Sequence, residues 1–255
     1  MSSVTFEHVS KDFDKLSVLQ DMHIHVESGK FVALVGPSGT GKSTLLRMVA
    51  GLDLPTSGQV IFDGEPIHGP DASRTLVFQE HALLPWLSLQ DNVALGLEFQ
   101  GVPRARAREH ATKWLARVSL AAFNSYYPHQ VSGGMRQRAA LVRALAVQPR
   151  VLLLDEPFGA LDALTRLQLQ QELSGLWTGG NMTVLMVTHD VEEALYLADR
   201  VIVLGPRPGR VIADYLVPLP RPRNRAAPSL LALRQRLLAD LGVNESNPPK
   251  EVSLP

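Results

Sequence analysis

Four short stretches of this chain are apolar at every position: Phe31-Val32-Ala33-Leu34-Val35, Val151-Leu152-Leu153-Leu154, Val184-Leu185-Met186-Val187 and Val201-Ile202-Val203-Leu204. Successive side chains of a strand point to opposite faces, so an unbroken apolar run of this length predicts a strand buried on both sides. Helical patterning lies between them, over Leu164 to Trp177 and Val191 to Ala198. Buried strands alternating with helices predict an α/β fold with a parallel sheet covered on both faces. Two other segments alternate apolar and polar positions, Val4 to Val9 and Gly58 to Gly64, as half-exposed antiparallel strands do. Residues 88–147 carry few strand signals and predict a helical insertion. From Pro206 onward the chain changes character, holding nine of its 18 prolines and a Pro/Arg-rich segment. Ser229 to Leu241 then predicts an amphipathic helix with Ser229 as N-cap and Gly242 as its stop, and the last dozen residues read as disordered. The chain divides on this reading into residues 1–205 and a tail, 206–255.

Composition narrows the possibilities. Lys plus Arg equals Asp plus Glu at 25 each, a balance that argues against a nucleic-acid partner. The chain has no cysteine, which excludes disulfides and a thiolate nucleophile. Met1 to His8 has neither the basic nor the apolar part of a signal peptide, and no apolar run is long enough to span a bilayer. A cytosolic location is expected, with any membrane work depending on another subunit.

The candidate chemistry begins after the first buried strand. Gly36-Pro37-Ser38-Gly39-Thr40-Gly41-Lys42-Ser43, with Thr44 following, fits the pattern G-x-x-x-x-G-K-S and opens a predicted helix over Ser43 to Val49. Glycines let backbone N–H groups turn inward around phosphate oxygens, and the helix N-terminus adds a positive dipole end. Lys42 is expected to reach the β- and γ-phosphates of ATP, and the Ser43 hydroxyl to hold Mg²⁺. The strand over 151–154 ends in Asp155 and Glu156. At the C-terminal end of a parallel strand these carboxylates face a ligand crevice, Asp155 as a Mg²⁺ ligand and Glu156 as general base for the attacking water.

A third motif is Val131-Ser132-Gly133-Gly134-Met135-Arg136-Gln137, just before a predicted helix over Arg136 to Ala146. Ser132, Gly133 and Gly134 offer a hydroxyl and N–H groups at a second helix N-terminus, which suits an anion. The segment resembles the ABC signature, L-S-G-G-Q, with Val131 and Met135 departing from it. That resemblance extends over residues 1 to about 205 and implies a P-loop NTPase core with an antiparallel β subdomain and an α-helical subdomain. It implies further roles. Gln79 is similar to the glutamine that contacts the metal and the attacking water, Asp162 to the family's D-loop aspartate, and His189 to the switch histidine at the γ-phosphate. Phe13 stands where the family stacks an aromatic on adenine. It also implies a head-to-tail dimer of two copies, each ATP lying between the phosphate loop of one and Ser132 to Gly134 of the other.

Several further segments are similar to ATP-binding subunits of nitrate, sulfonate and taurine importers: Gly69 to Arg74, Leu83-Leu84-Pro85-Trp86, Asp91-Asn92-Val93, Asp155 to Arg166, Pro206 to Arg210 and Pro220 to Arg223. Such a system implies two integral membrane permease subunits and an extracytoplasmic substrate-binding protein. It places the ATPase on the cytoplasmic face of the plasma membrane, with an aliphatic sulfonate or taurine as cargo, and nitrate next. The competing class is a non-transport ABC ATPase acting on ribosomes or DNA. Paired ATPase domains or a long coiled coil are common there, and neither is found in this chain. Leu83 to Trp86 is read as an exposed apolar site for a permease helix, against the alternative of a core position. His23 and His25 share a strand face without a third metal ligand. Arg104, Arg106 and Arg108 read as a solvated helix face. Arg221, Arg223 and Arg225 leave open a lipid-facing segment or an unstructured linker.

Overall fold

The computed structural model describes residues 2–78, 82–159, 161–177 and 182–243. In chain order the elements are β1 (Val4–Phe13), β2 (Leu16–Val26), β3 (Phe31–Val35), α1 (Lys42–Val49), β4 (Ser57–Phe62), β5 (Glu65–Pro66) and β6 (Arg74–Val77). There follow α2 (Leu89–Phe99), α3 (Arg104–Arg117), α4 (Gly133–Ala146), β7 (Val151–Asp155), α5 (Ala163–Trp177), β8 (Thr183–Thr188), α6 (Val191–Leu197), β9 (Arg200–Leu204), β10 (Val211–Leu216) and α7 (Pro228–Asp240). The four apolar runs are the four central strands of a six-stranded sheet ordered β10-β9-β3-β8-β7-β6, parallel except for the edge strand β10. The alternating segments lie in a separate antiparallel sheet, β2-β1-β4-β5.

The strand period of two explains why the central runs are apolar throughout. Phe31, Ala33 and Val35 face one side with Leu152, Leu154, Val184 and Met186, where α4, α5, α6 and α7 cover them. Val32 and Leu34 face the other with Leu153, Leu185 and Val187, against α1 and the antiparallel sheet. The helical insertion has a third core between α2, α3 and α4. Helix α4 belongs to two of these cores: Leu141 and Leu145 pack on the sheet, Val142 and Ala146 on the insertion.

Strands β5, β6 and β10 were not read in the sequence, being short or exposed. The chain beyond residue 205 continues the same architecture. Strand β10 pairs with β9, and Leu230 and Leu237 of α7 join the core of Phe31 and Leu154. Helix α7 starts one residue earlier than expected and its N-cap is Ala227, not Ser229. Pro228 takes the first helical position, where its missing N–H costs nothing and its fixed φ suits the turn. Gly242 ends the helix in a left-handed conformation, φ 77°, as expected. The last dozen residues, 244–255, lie outside the described residues.

The Pro/Arg-rich segment is a packed strap, which excludes the reading of Arg223 as a lipid-facing or linker residue. Arg223 is buried. Its guanidinium donates to the carbonyls of Leu195, Tyr196, Ala198, Val217 and Leu219. Three of those carbonyls belong to the C-terminal turn of α6, which its own helix leaves without donors. Arg221 donates to Leu197 O and pairs with Asp199 at 2.9 Å, and Arg225 stacks on the Tyr196 ring at 3.7 Å. Burial pulls the Arg223 pKa down to about 10, with Arg221 adding to the fall and Asp199 opposing it, so the side chain stays charged at neutral pH. Truncating a buried charged donor leaves its acceptors unsatisfied, and Arg223→Ala is expected to lose about 3–5 kcal/mol of stability in urea unfolding. Arg223→Lys, which keeps the charge and some donors, should lose less. A loss below about 0.5 kcal/mol for the alanine variant, the range of inert surface changes, would show that the strap is not structural.

Candidate functional site

Three consecutive loops meet because their strands end level. Val35 of β3 pairs with Thr188 of β8, and Val187 of β8 with Asp155 of β7. The segments that follow, Gly36 onward, His189 and Glu156, therefore leave the sheet at its C-terminal edge. The described part of the site is an open recess of ≈ 280 Å³ lined by Ser38, Gly39 and Gly41 to Thr44 of the phosphate loop, together with Phe13, Val18, Glu156 and Arg207. A larger cavity of ≈ 870 Å³ lies at the opposite edge, beside Lys30 and Asp199 at the starts of β3 and β9, and contains none of the motif residues. Ligands of open α/β sheets bind at the C-terminal ends of strands, which favours the smaller recess.

The loop geometry follows from its residues. Gly41 is left-handed at φ 90°, and a Cβ there would lie 2.5 Å from Leu19 Cδ2, so only glycine fits. Lys42 donates through Nζ to the carbonyls of Gly36 and Pro37, at 2.8 and 2.7 Å. Thr40 Oγ1 donates to Pro37 O, which tightens the same turn. Burial lowers the Lys42 pKa, while the charges of Glu156 and Asp155 act to raise it. Helix α1 begins at Lys42, one residue before the expected start.

Ser43 Oγ donates to Asp155 Oδ1 at 2.8 Å, which joins the phosphate loop to the end of β7. Burial raises the Asp155 pKa, the Ser43 bond lowers it, and the Glu156 charge raises it further. Glu156 has φ 44°, a left-handed backbone for a residue with a Cβ, and its N–H donates to Val187 O at 3.0 Å. Such strain persists where surrounding structure imposes it, and it clusters at functional sites. Glu156 Oε2 lies 3.3 Å from His189 Nδ1, so these two side chains meet at the edge of the sheet. Gln79 lies outside the described residues.

Ser132, Gly133 and Gly134 are not among the residues lining the recess. Ser132 is the N-cap of α4, accepting from Met135 N at 3.3 Å, and the helix begins at Gly133, three residues before the expected start. A Cβ on Gly134 would lie 2.5 Å from Thr165 Cγ2, so α4 and α5 approach closely there. Asp162 caps α5 by accepting from Thr165 N, and the Thr165 hydrogen bonds lower its pKa. One buried link ties this region to the recess: Gln137 Nε2 donates to Pro157 O at 2.5 Å, immediately after Glu156.

Four residues beside the motif positions have no role in the sequence reading. Val18 and Arg207 line the recess, and Thr188 with Glu193 sits behind His189. The order Asp190-x-x-Glu193 predicts a capping box, and Asp190 does accept from the N–H groups of Glu192 and Glu193. Glu193 instead accepts from Thr188 Oγ1 at 2.7 Å.

Comparison with known proteins agrees with this geometry. A family model described as ABC transporter matches residues 19–159. A taurine import ATP-binding protein of Chromobacterium violaceum is 46% identical over 252 residues, covering 94% of this chain and 96% of its own. An aliphatic sulfonates import ATP-binding protein of Bacillus licheniformis is 43% identical, covering 91% of this chain and 90% of its own. A nitrate import ATP-binding protein of Synechocystis is 46% identical, covering 81% and 79%. Among solved structures, a dimeric ATP-binding cassette in a post-hydrolysis state with ADP and Pi superimposes with a TM-score of 0.75 at 32% identity, covering 84% of this chain and 98% of that one.

Burial lifts the Glu193 carboxyl to about 7, despite the lowering hydrogen bond from Thr188. An acid whose pKa is higher in the folded state costs no stability below its unfolded value of about 4.5, where both states are protonated. Stability falls as pH rises from there through about 7, because the unfolded chain releases its proton first. Glu193→Gln keeps an acceptor for Thr188 and removes this penalty. Its advantage over the parent should be absent near pH 4.5 and reach about 2–3 kcal/mol at pH 8. Urea unfolding across that range checks it, and a difference independent of pH would refute the assignment.

Proposed function

Since the chain belongs to the ABC transporter family and is the ATP-hydrolysing subunit of an importer, we propose a division of labour among its residues. The observation that carries it is the meeting of Lys42, Ser43, Asp155, Glu156 and His189 at one sheet edge, with Ser132 to Gly134 outside the recess. The phosphate loop, Gly36 to Thr44, binds the ATP phosphates through its N–H groups and Lys42. The loop carbonyls that now hold the ammonium are exchanged for phosphate oxygens. Phe13, half exposed at the rim, stacks on the adenine. The Ser43 hydroxyl and Asp155 carboxylate are adjacent hard oxygen donors, a set that fits Mg²⁺. Gln79, by its motif, would complete that set. When bound, Mg²⁺ neutralises charge on the phosphates.

Glu156 accepts the proton of the attacking water as its oxygen bonds to the γ-phosphorus and the bond to the bridging oxygen of ADP breaks. His189, in contact with Glu156 through Nδ1, uses its other ring nitrogen to hold the γ-phosphate in line. Ser132, Gly133 and Gly134 serve the ATP of a second copy in a head-to-tail dimer, with Asp162 at the shared surface. Each chain then holds half of two sites.

No helix among the described residues is long and apolar enough to cross a membrane. Two permease subunits supply the path, a substrate-binding protein delivers the cargo, and this chain works peripherally on the cytoplasmic face. The names of the relatives support an aliphatic sulfonate or taurine as cargo, with nitrate next. Residues 1–205 carry every motif of the ATPase, and the chain beyond them completes the same fold, with β10 on the central sheet and α7 on its core. Glu156→Gln preserves shape and removes the base. It should bind ATP, stay dimeric in its presence, and hydrolyse at least 10²-fold more slowly. Phosphate release and ATP-dependent size-exclusion chromatography measure this, and retained hydrolysis would remove Glu156 from the mechanism.

Trp86 is 69% exposed, which overturns the alternative that it is core. Leu83 packs on the helical insertion and Asn92 Oδ1 accepts from Leu84 N, so the loop is held with Trp86 facing outward. Trp86→Ala is therefore expected to leave the melting temperature of the free subunit unchanged while reducing co-purification with the permease and cargo uptake. A large fall in melting temperature with assembly intact would reject the docking role.

A further inference from the structure

The turn between β9 and β10, Gly205-Pro206-Arg207-Pro208-Gly209-Arg210, has no part in the motif-based mechanism, yet it touches the phosphate loop. It is fixed from two sides. Gly209 N donates to Val18 O at 2.8 Å and Gln20 N donates to Gly209 O at 3.0 Å, so β2 holds it as a short parallel bridge. A Cβ on Gly209 would fall 2.2 Å from Thr40 O, so the turn lies directly against the phosphate loop and only glycine permits that approach. Arg207 is carried on this anchored turn. Its Nε donates to Gly39 O at 3.0 Å, and its Nη2 would lie 2.6 Å from a Cβ on Gly39. The side chain is exposed and lines the recess with Phe13, Lys42 and Glu156.

No ion pair engages Arg207 among the described residues. A guanidinium has five N–H donors in a planar fork, and bracing Gly39 uses one of them. Two cations thus attend carbonyls of the same phosphate loop, Lys42 on Gly36 and Pro37, and Arg207 on Gly39. The remaining Nη donors of Arg207 border a space whose other lining is built for phosphate, and guanidinium pairs with phosphate through directed, charge-assisted bonds.

We propose that Arg207 is a nucleotide-binding residue, donating its Nη groups to the β- and γ-phosphate oxygens from a turn outside every motif of the site. The proposal rests on the reading of the recess as the ATP site. Because the turn is already held by Val18, Gln20 and Thr40, little ordering accompanies the contact.

The test is equilibrium binding of ATP and AMP to the full chain, its Arg207→Ala and Arg207→Lys variants, and Lys42→Ala. Arg207→Ala should bind ATP roughly tenfold more weakly, the weight of one charge-assisted hydrogen bond. AMP, which lacks the β- and γ-phosphates, should bind with nearly unchanged affinity. Arg207→Lys should recover part of the loss, and the salt dependence of ATP binding should flatten in the alanine variant. Equal losses for ATP and AMP, or a fall in melting temperature without a change in the ATP-to-AMP ratio, would make Arg207 a brace for Gly39 and overturn the proposal. Lys42→Ala separates the levels. If it weakens ATP binding while Arg207→Ala does not, Arg207 alone is rejected. If neither variant affects ATP binding, the recess is not the nucleotide site and both readings fall.

Discussion

The register of the parallel sheet is the constraint on which the site depends. Val35, Thr188 and Asp155 end their strands side by side, because β3, β8 and β7 pair without a shift along their whole lengths. A slip of one residue in any of these pairs would invert its strand's faces. Residues that now pack under α1 would turn toward α5 and α6, and the reverse. The hydrophobic division into two cores therefore fixes the register, and the register fixes which residues follow one another onto the edge. The geometry of the site is in this sense a by-product of core packing: Glu156 and His189 lie 3.3 Å apart because Leu154, Met186 and Val35 are buried on the same side.

The charged groups at this edge hold one another in place. Lys42 and Asp155 are both desolvated, and burial opposes the charged form of each. The loop carbonyls and the Ser43 hydroxyl compensate, so the groups carry hydrogen bonds without any ligand contact. A polyphosphate entering this recess exchanges bonds and adds few new constraints, which keeps the reorganisation small. The left-handed backbone at Glu156 belongs to the same arrangement. Its N–H is committed to Val187 O, so the chain must turn sharply as it leaves β7, and the turn aims the carboxylate back toward His189.

Much of this was legible because the informative signals are local. Unbroken apolar runs, a glycine-rich loop before a helix and a strand ending in two carboxylates can each be read within a dozen residues. The central strands, the antiparallel sheet, the helical insertion and the motif residues followed from them. What escaped depends on contacts between distant segments. Strands β6 and β10 owe their state to pairing with β7 and β9 and have little periodicity of their own. Arg223 lies in a stretch whose composition resembles a linker, and only the carbonyls at the end of α6 make it a buried residue. Arg207 lies in a segment similar to importer ATPases, yet no motif gives it a role, because its neighbour Gly39 is far away in sequence. The start of α7 was misplaced for a local reason: Ser229 is the stronger capping residue by type, but Pro228 before it already satisfies the first turn.

Helix α4 links the two halves of the chain's surface. In the proposed head-to-tail arrangement the N-terminus of α4 would serve a different ATP from the one at the phosphate loop, yet α4 is not an independent lever. Gln137, one turn into the helix, is buried and bonded to Pro157 O, next to Glu156. Gly134 lies against Thr165 of α5, whose cap is Asp162. The same helix packs with Val142 and Ala146 against α2 and α3, and α2 begins just after Trp86. A rotation of α4 must therefore either carry the Pro157 carbonyl with it or break a buried hydrogen bond. It also bears on α2 and α3, because Ala139, Val142 and Ala146 of α4 share one core with them. Closely packed interiors transmit such displacements because they have no free volume to absorb them. The N-terminus of α4, the turn at Glu156 and the loop that carries Trp86 are thus joined through one packed body.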